Sequence, residues 1–343
     1  MKKLMLGWAV GAAIGLATSA AYAIDYAAPK PLSPEAQAPI KDFKGSKGAR
    51  IAYMPPATEF NYYIAIGEGI KDEAAKRGID TFMLAPQSGS DINGQMGMIQ
   101  DVITQGVQAI IFHTHDEAAA APLIKRAVDA GIAAVIVNSD IAKFPSPVHA
   151  VVGYSERGGT HKEGEYVLKL VGDKALNVGI IEGAPGYDST ERVGGFLDAI
   201  KGSKLKVVAS LDGKWNTEGG NAAAMDMLQA HPEINLIFAA NDDEILGAAQ
   251  AAKALGRDDL LLFSNDGDTG AGLEPIAAGS VTATVDTTPF VMGQIALDVA
   301  ADVLDNKFPG GWVETPTRIV DKNNVIEVLQ HPETLYPKPS KQY

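Results

Sequence analysis

From residue 50 onward, short apolar runs alternate with longer amphipathic stretches, and the whole series occurs twice. In the first set the runs fall at 50–54, 81–84, 109–112, 134–137 and 149–152, separated by helix-patterned stretches at 62–76, 92–105, 118–130 and 159–170. The second set has runs at 177–181, 206–211, 236–239, 260–264 and 280–285, with helix-patterned stretches at 191–200, 218–230, 243–254 and 290–304. Runs that are apolar throughout suit strands covered on both faces, and helix-length spacers supply the crossovers that parallel neighbours need. The pattern therefore predicts an α/β fold of two doubly wound parallel-sheet lobes in series.

Ahead of this region, Met1-Lys2-Lys3 leads into an apolar stretch at 4–17 and then the small-residue pattern Ala21-Tyr22-Ala23. That is the form of a secretory signal peptide, 1–23, cleaved after Ala23. The apolar stretch falls short of the roughly 20 residues that span a bilayer, which disfavours an uncleaved anchor. Residues 24–48, rich in Pro, Ala and Lys and without sustained period, are expected to be a leader or linker, and 331–343 a tail. The chain has no cysteine, which excludes a disulfide framework, a thiolate metal site and a lipid-anchoring cysteine. The mature chain is thus expected to be a free monomer in a periplasm. Its formal charge is −13, and without Lys2 and Lys3 the 29 basic residues fall to 27 against 42 acidic ones. Such a balance argues against nucleic acid and anionic membranes as partners, and it also serves solubility.

Ligands of open parallel sheets sit beyond the carboxyl ends of the strands, so the residues after each apolar run carry the functional expectation. They are unusually polar and aromatic: the stretch 55–63 ending in Phe60-Asn61-Tyr62-Tyr63, His113-Thr114-His115-Asp116, Asn138-Ser139-Asp140, the stretch 182–188 ending in Gly186-Tyr187-Asp188, Asn241-Asp242 and Asn265-Asp266-Gly267.

These strand ends carry a resemblance. The stretch His231-Pro232-Glu233-Ile234-Asn235-Leu236-Ile237-Phe238-Ala239-Ala240-Asn241-Asp242 with Gly247 after it, the segment Phe263-Ser264-Asn265-Asp266-Gly267, and the pair Tyr62-Tyr63 together resemble the periplasmic sugar-binding proteins of the ribose-binding type. That group shares its fold with lac-repressor-like cores, and the likeness covers 50–328. It implies two lobes closing over one ligand, joined by three crossovers near Gly153-Tyr154, Thr287-Thr288 and Thr317-Arg318. The first lobe would then be 49–153 plus 288–317, and the second 154–287 plus 318–330. The resemblance places ligand contacts at Tyr62, Tyr63, His113, Ser139, Asp140, Trp215, Asn241, Asp266 and the turn Asp286-Thr287. An arginine that the family carries after the first strand of the second lobe lands on Thr190 or on Arg192, depending on one gap. Ser139-Asp140 stands where the ribose type has an Asp-Arg pair, His113 replaces an asparagine, and Asp286-Thr287 replaces a glutamine. These departures bear on which sugar or polyol binds, not on the fold. The implied partners are a membrane permease with its ATPase, or a membrane sensor if the ligand is a furanose signal molecule; no cofactor is implied.

The residue types suit that chemistry. A sugar hydroxyl both donates and accepts, so burying it demands paired partners, and Asp140, Asp266 and Asn241 can accept while Arg192 and His113 donate. Tyr62, Tyr63 and Trp215 offer faces for the C–H side of a ring. Simpler roles compete: Asp266 as a turn former before Gly267, Asn241 as a helix cap, the aromatic residues as core, and Arg192 as a partner of Glu191 or Asp188.

Other classes are less well supported. His113-Thr114-His115-Asp116 reaches one Zn²⁺ only if the loop curls, and spacing supplies no third ligand. The chain has no Gly-x-Ser-x-Gly elbow, Walker A sequence or His-Glu-x-x-His motif, so an enzyme would rest on scattered carboxylates such as Asp140 and Asp266 acting as a glycosidase-like pair. No helix-turn-helix precedes Arg50, which disfavours a repressor.

Overall fold

The apolar runs become strands because helices can cover both of their faces. The computed structural model describes residues 28–330, so the signal-peptide and tail expectations lie outside the described residues. The elements run β1 (Arg50–Met54), α1 (Asn61–Arg77), β2 (Asp80–Met83), α2 (Ile92–Gln105), β3 (Ala109–Phe112), α3 (Glu117–Asp129), β4 (Ala133–Val137) and β5 (Ala150–Gly153). The second series follows with α4 (Glu156–Val171), β6 (Leu176–Glu182), α5 (Tyr187–Ile200), β7 (Leu205–Asp212), α6 (Thr217–Ala230), β8 (Ile234–Ala239), α7 (Asp242–Ala254) and β9 (Leu261–Asp266). After it come a π-helical turn (Thr269–Leu273), α8 (Glu274–Ala278), β10 (Ala283–Asp286), α9 (Pro289–Leu304), β11 (Trp312–Glu314), β12 (Arg318–Asp321) and α10 (Val325–Gln330).

Two six-stranded sheets result, ordered β11-β5-β4-β3-β1-β2 and β12-β10-β9-β8-β6-β7. All pairings are parallel except β10 with β12. In each sheet the order reverses once, between β1 and β3 and between β6 and β8, and those switch points open a crevice at the carboxyl edge. Strands β3, β4 and β5 are buried along their whole length, as unbroken apolar runs require, and so is β10 despite its Thr284 and Asp286.

The chain passes between the sheets three times: after β5, after β10 and between β11 and β12. Helix α9 carries it back to the first sheet, buried from Val291 through Leu304 and packed on α1, β3, β4 and β5. Glycine permits that packing, since a Cβ on Gly69 would lie 1.9 Å from the Phe290 carbonyl oxygen and one on Gly293 2.0 Å from that of Ile66.

Residues 28–48, within the expected leader or linker, are fixed onto the first lobe. Lys30 and Trp312 exchange backbone hydrogen bonds at 2.8 and 2.7 Å, Ala38 N–H donates to the Val148 carbonyl, and Leu32, Ala36 and Ala38 are buried. Absence of a period hid this, because the segment pairs through isolated bridges rather than a continuous ladder. The elements too short to show a period, namely the π-helical turn, α8, β11, β12 and α10, also escaped the sequence pattern. The strand expected at 280–285 begins only at Ala283, since α8 ends in Gly279 with φ 81° and the chain turns before pairing.

Candidate functional site

The first turn of α1 follows β1 and presents Tyr62 and Tyr63 toward the second lobe, both buried. The Tyr62 hydroxyl lies 2.7 Å from Asn138 Oδ1 and 2.7 Å from Thr287 Oγ1, so only its ring face is free for a ligand. From the opposite lobe, α5 starts at Tyr187 and places Asp188 and Arg192 one turn apart on its buried face. Thr190 points the other way, exposed and bonded to the Gly186 carbonyl at 2.8 Å. Helix register thus turns Arg192 toward the cleft and Thr190 toward solvent.

Arg192 is the positive centre. Its Nη1 lies 3.0 Å from Asp266 Oδ1 and donates to the Ala240 carbonyl at 3.2 Å, while Nη2 is 3.8 Å from Glu156 Oε1. Its guanidinium also lies 5.3 Å from the centroid of the Trp215 ring. Burial works against this charge, but the surrounding Tyr154, Asp266, Glu156 and Asp188 hold it in the cationic form. Burial likewise pushes the Asp266 carboxyl up, and Arg192 opposes the push. Asp266 has φ 150° and precedes Gly267, where a Cβ would meet Asp286 Oδ1 at 2.5 Å, so it forms the turn and faces the chamber at once.

Trp215 is held in a left-handed conformation, φ 63°, that costs a non-glycine residue free energy. Its backbone N–H donates to Glu244 Oε1 at 2.8 Å, and its carbonyl accepts from Asn241 Nδ2 at 3.1 Å. The other amide atom of Asn241 accepts from Glu244 N–H at 2.8 Å, so this side chain caps α7 and braces Trp215 with both its polar ends.

Phe60, Tyr62, Tyr63, His115, Asp188, Arg192, Trp215, Asn241, Asp243 and Asp266 enclose a chamber with about 20 Å³ of free space, room for about one water molecule. Of the residues expected at a site, the structure brings Tyr62, Tyr63, Arg192, Trp215, Asn241 and Asp266 together there. His113 lies behind it, its Nδ1 3.0 Å from the Val137 carbonyl oxygen and its Nε2 3.0 Å from Asp188 Oδ2. Asp140 accepts from the Tyr187 hydroxyl at 2.9 Å, and the Ser139 hydroxyl accepts from Ile141 N–H. Asp286 accepts from Thr288 N–H at 2.8 Å and lies 3.3 Å from Arg318 Nε, and the Thr287 hydroxyl donates to the Asp266 carbonyl at 2.9 Å. Ser139, Asp140, Asp286 and Thr287 therefore brace the crossovers and lobe edges and are absent from the chamber wall. Among the described residues no cluster of His, Asp and Glu is arranged to hold a metal ion.

Sequence reasoning missed Phe60, His115, Asp188 and Asp243. The first three lie inside strand-end stretches that had been singled out, and Asp243 adjoins Asn241-Asp242. What selects them is the geometry of the opposing lobe.

The sequence profile of the family described as a periplasmic binding protein domain matches residues 51–308. The D-ribose/D-allose-binding protein of Pseudomonas aeruginosa is 31% identical over 287 residues, covering 79% of this chain and 88% of that protein. A ribose import binding protein of Bacillus subtilis is 28% identical and covers 75% and 82%. Among solved structures, a periplasmic solute-binding protein of an ABC transporter from Actinobacillus succinogenes, with bound D-allose, has a TM-score of 0.75 at 27% identity and covers 81% of this chain and 99% of that one.

Proposed function

The chain belongs to the periplasmic binding protein family, and from that premise we propose that it captures one monosaccharide between its lobes and presents it to a membrane permease driven by a separate ATPase. The observation that carries this reading is the composition of the chamber wall: aromatic faces from Tyr62, Tyr63 and Trp215 set around the carboxylates of Asp188, Asp243 and Asp266 and the guanidinium of Arg192. Rings bury the C–H side of a sugar, and charged partners match its hydroxyls, each such hydrogen bond contributing about 1.5–3 kcal/mol. Asp266 lies 3.0 Å from Arg192 and Asp188 faces His113, so the guanidinium in the wall is already paired, which suits a neutral ligand.

Capture proceeds by hinge closure. The lobes part at the three crossovers, the sugar enters, and contacts from both lobes shift the population to the closed form. A chamber of about 20 Å³ is too small to admit a sugar ring without that opening. The relatives are named as binding proteins, and Asp140, engaged by Tyr187, is absent from the chamber wall, so the wall does not assemble the Asp140–Asp266 pair that a glycosidase reading would use. The protein acts in the periplasm after export, as a monomer.

Differential scanning fluorimetry of the mature protein against pentoses, hexoses, polyols and signal furanoses tests the reading. A rise in melting temperature with one or a few monosaccharides supports it, and no shift with any of them overturns it. Copurification with a transmembrane sensor, in place of a permease, would favour the signalling role.

A further inference from the structure

Beside the chamber lies a second, far larger space of about 870 Å³, a vestibule at the mouth of the cleft. Four residues border both spaces: Phe60, His115, Trp215 and Asp243. They differ in how firmly they are held. Trp215 is pinned by Glu244 and Asn241, and its indole packs so closely on Gly183 that a Cβ there would lie 2.2 Å from the ring. Phe60 is buried edge-on against Tyr63, and Asp243 sits in the first turn of α7.

His115 is different. Its backbone is fixed, since the next residue, Asp116, caps α3 through Ala119 N–H. Its side chain is only partly buried and lies parallel to Trp215 from the opposite lobe, at 5.9 Å between ring centres and an interplanar angle of 23°. Loss of hydration at the cleft pushes its pKa down to about 4, with His113 and Arg192 acting the same way, so near neutral pH it adds no charge facing Arg192. A Cβ on Gly89 would sit 3.4 Å from the ring and 2.9 Å from Phe60, so only glycine leaves room there for both.

We propose that His115 is the size-selecting gate of the site: its imidazole closes the chamber toward the vestibule against Trp215, restricting the ligand to a single ring that carries no substituent on the side facing the vestibule. The inference rests on the sugar-binding reading and names what limits the ligand. Removing the ring joins the two spaces, and a substituent then projects into a vestibule that offers Ser88, Ser90, Asn216 and Thr217 as hydrogen-bonding partners.

The test compares dissociation constants, by isothermal titration calorimetry, for matched pairs of free sugar and methyl glycoside, with ribose and allose first. In the wild type the methyl glycoside binds more weakly than the free sugar. In His115→Ala that discrimination falls by about 10-fold, the low end of what a pocket wall achieves against one extra carbon. His115→Phe, which keeps the bulk and loses the ring nitrogens, retains the discrimination. If His115→Ala discriminates as the wild type does, the gate is overturned while the sugar site stands. If no free sugar binds the wild type, the sugar reading falls and the gate with it.

Discussion

His113 and Asp188 meet across the cleft: Nε2 of a histidine that follows β3 in the first lobe lies 3.0 Å from Oδ2 of an aspartate on α5 of the second, and both side chains are less than a tenth exposed. Burial raises the Asp188 carboxyl, but the facing His113 and Arg192 together bring it below the usual range. Burial, and next the charge of Asp188, push the neighbouring Glu156 carboxyl well up. Asp188 thus faces the chamber as an anion because a residue of the other lobe holds it there.

Under the proposed hinge closure the pair parts when the lobes open, so its loss should act on ligand release. His113→Ala should weaken the closed complex by about 2–5 kcal/mol, the range for stripping one partner from a buried charge pair, mostly as faster dissociation. Stopped-flow fluorescence of Trp215 measures this. A dissociation rate within about twofold of wild type would show that the contact does not latch the lobes.

Asp266→Asn should reduce sugar affinity about 10- to 150-fold, the equivalent of one charged hydrogen bond of about 1.5–3 kcal/mol. It should also lower the melting temperature, because the buried Arg192 cation loses its nearest counter-charge, Glu156 being the next at 3.8 Å. Calorimetry and thermal unfolding of one variant read both effects. Unchanged affinity would leave Asp266 as a turn residue alone.

Burial pushes the Asp140 carboxyl up to about 6, and burial with Asp268 and Asp242 pushes Asp243 up to about 7, against about 3.9 for an exposed aspartate. Between about pH 4 and 7 the folded protein therefore binds protons that the unfolded chain has released, so these groups favour folding at the acidic end and lose that effect as pH rises. Asp243→Asn removes one such contribution, at about 1.4 kcal/mol per pKa unit. Its melting temperature should gain on wild type steadily from pH 4 to 7. A constant difference across that window would contradict the assignment.

Gln37 ties residues 28–48 to the sheet. Its amide donates to Ala38 and His149 carbonyls at 2.9 and 3.1 Å and accepts from Gly311 N–H at 2.9 Å, next to β11 and the third crossover. Gln37→Ala should cost about 1–3 kcal/mol of stability, read from the midpoint of urea unfolding. No shift would mean that the segment merely lies on the lobe.

The two sheets were legible because continuous apolar runs and helix-length spacers are local signals, and strand ends told where a crevice must form. The cross-lobe pairs were not. His113 and Asp140 each look like ligand contacts on their own strand ends, yet they meet Asp188 and Tyr187 on the other lobe, and no periodicity encodes how two lobes face each other. Asn241 shows the converse: the capping role visible in its sequence position is real, and the same side chain also braces Trp215 at the chamber wall.

The account centres on a sugar held between Trp215 and Arg192 of one lobe and Tyr62 and Tyr63 of the other. Isothermal titration calorimetry of the mature protein with free monosaccharides, ribose and allose first, tests it most directly. The account predicts saturable heat at one sugar per chain, with Trp215→Ala binding the same sugar at least about 10-fold more weakly, in line with an aromatic contact of about 1.5 kcal/mol. No heat with any monosaccharide, or a Trp215→Ala variant that binds as tightly as wild type, would contradict it.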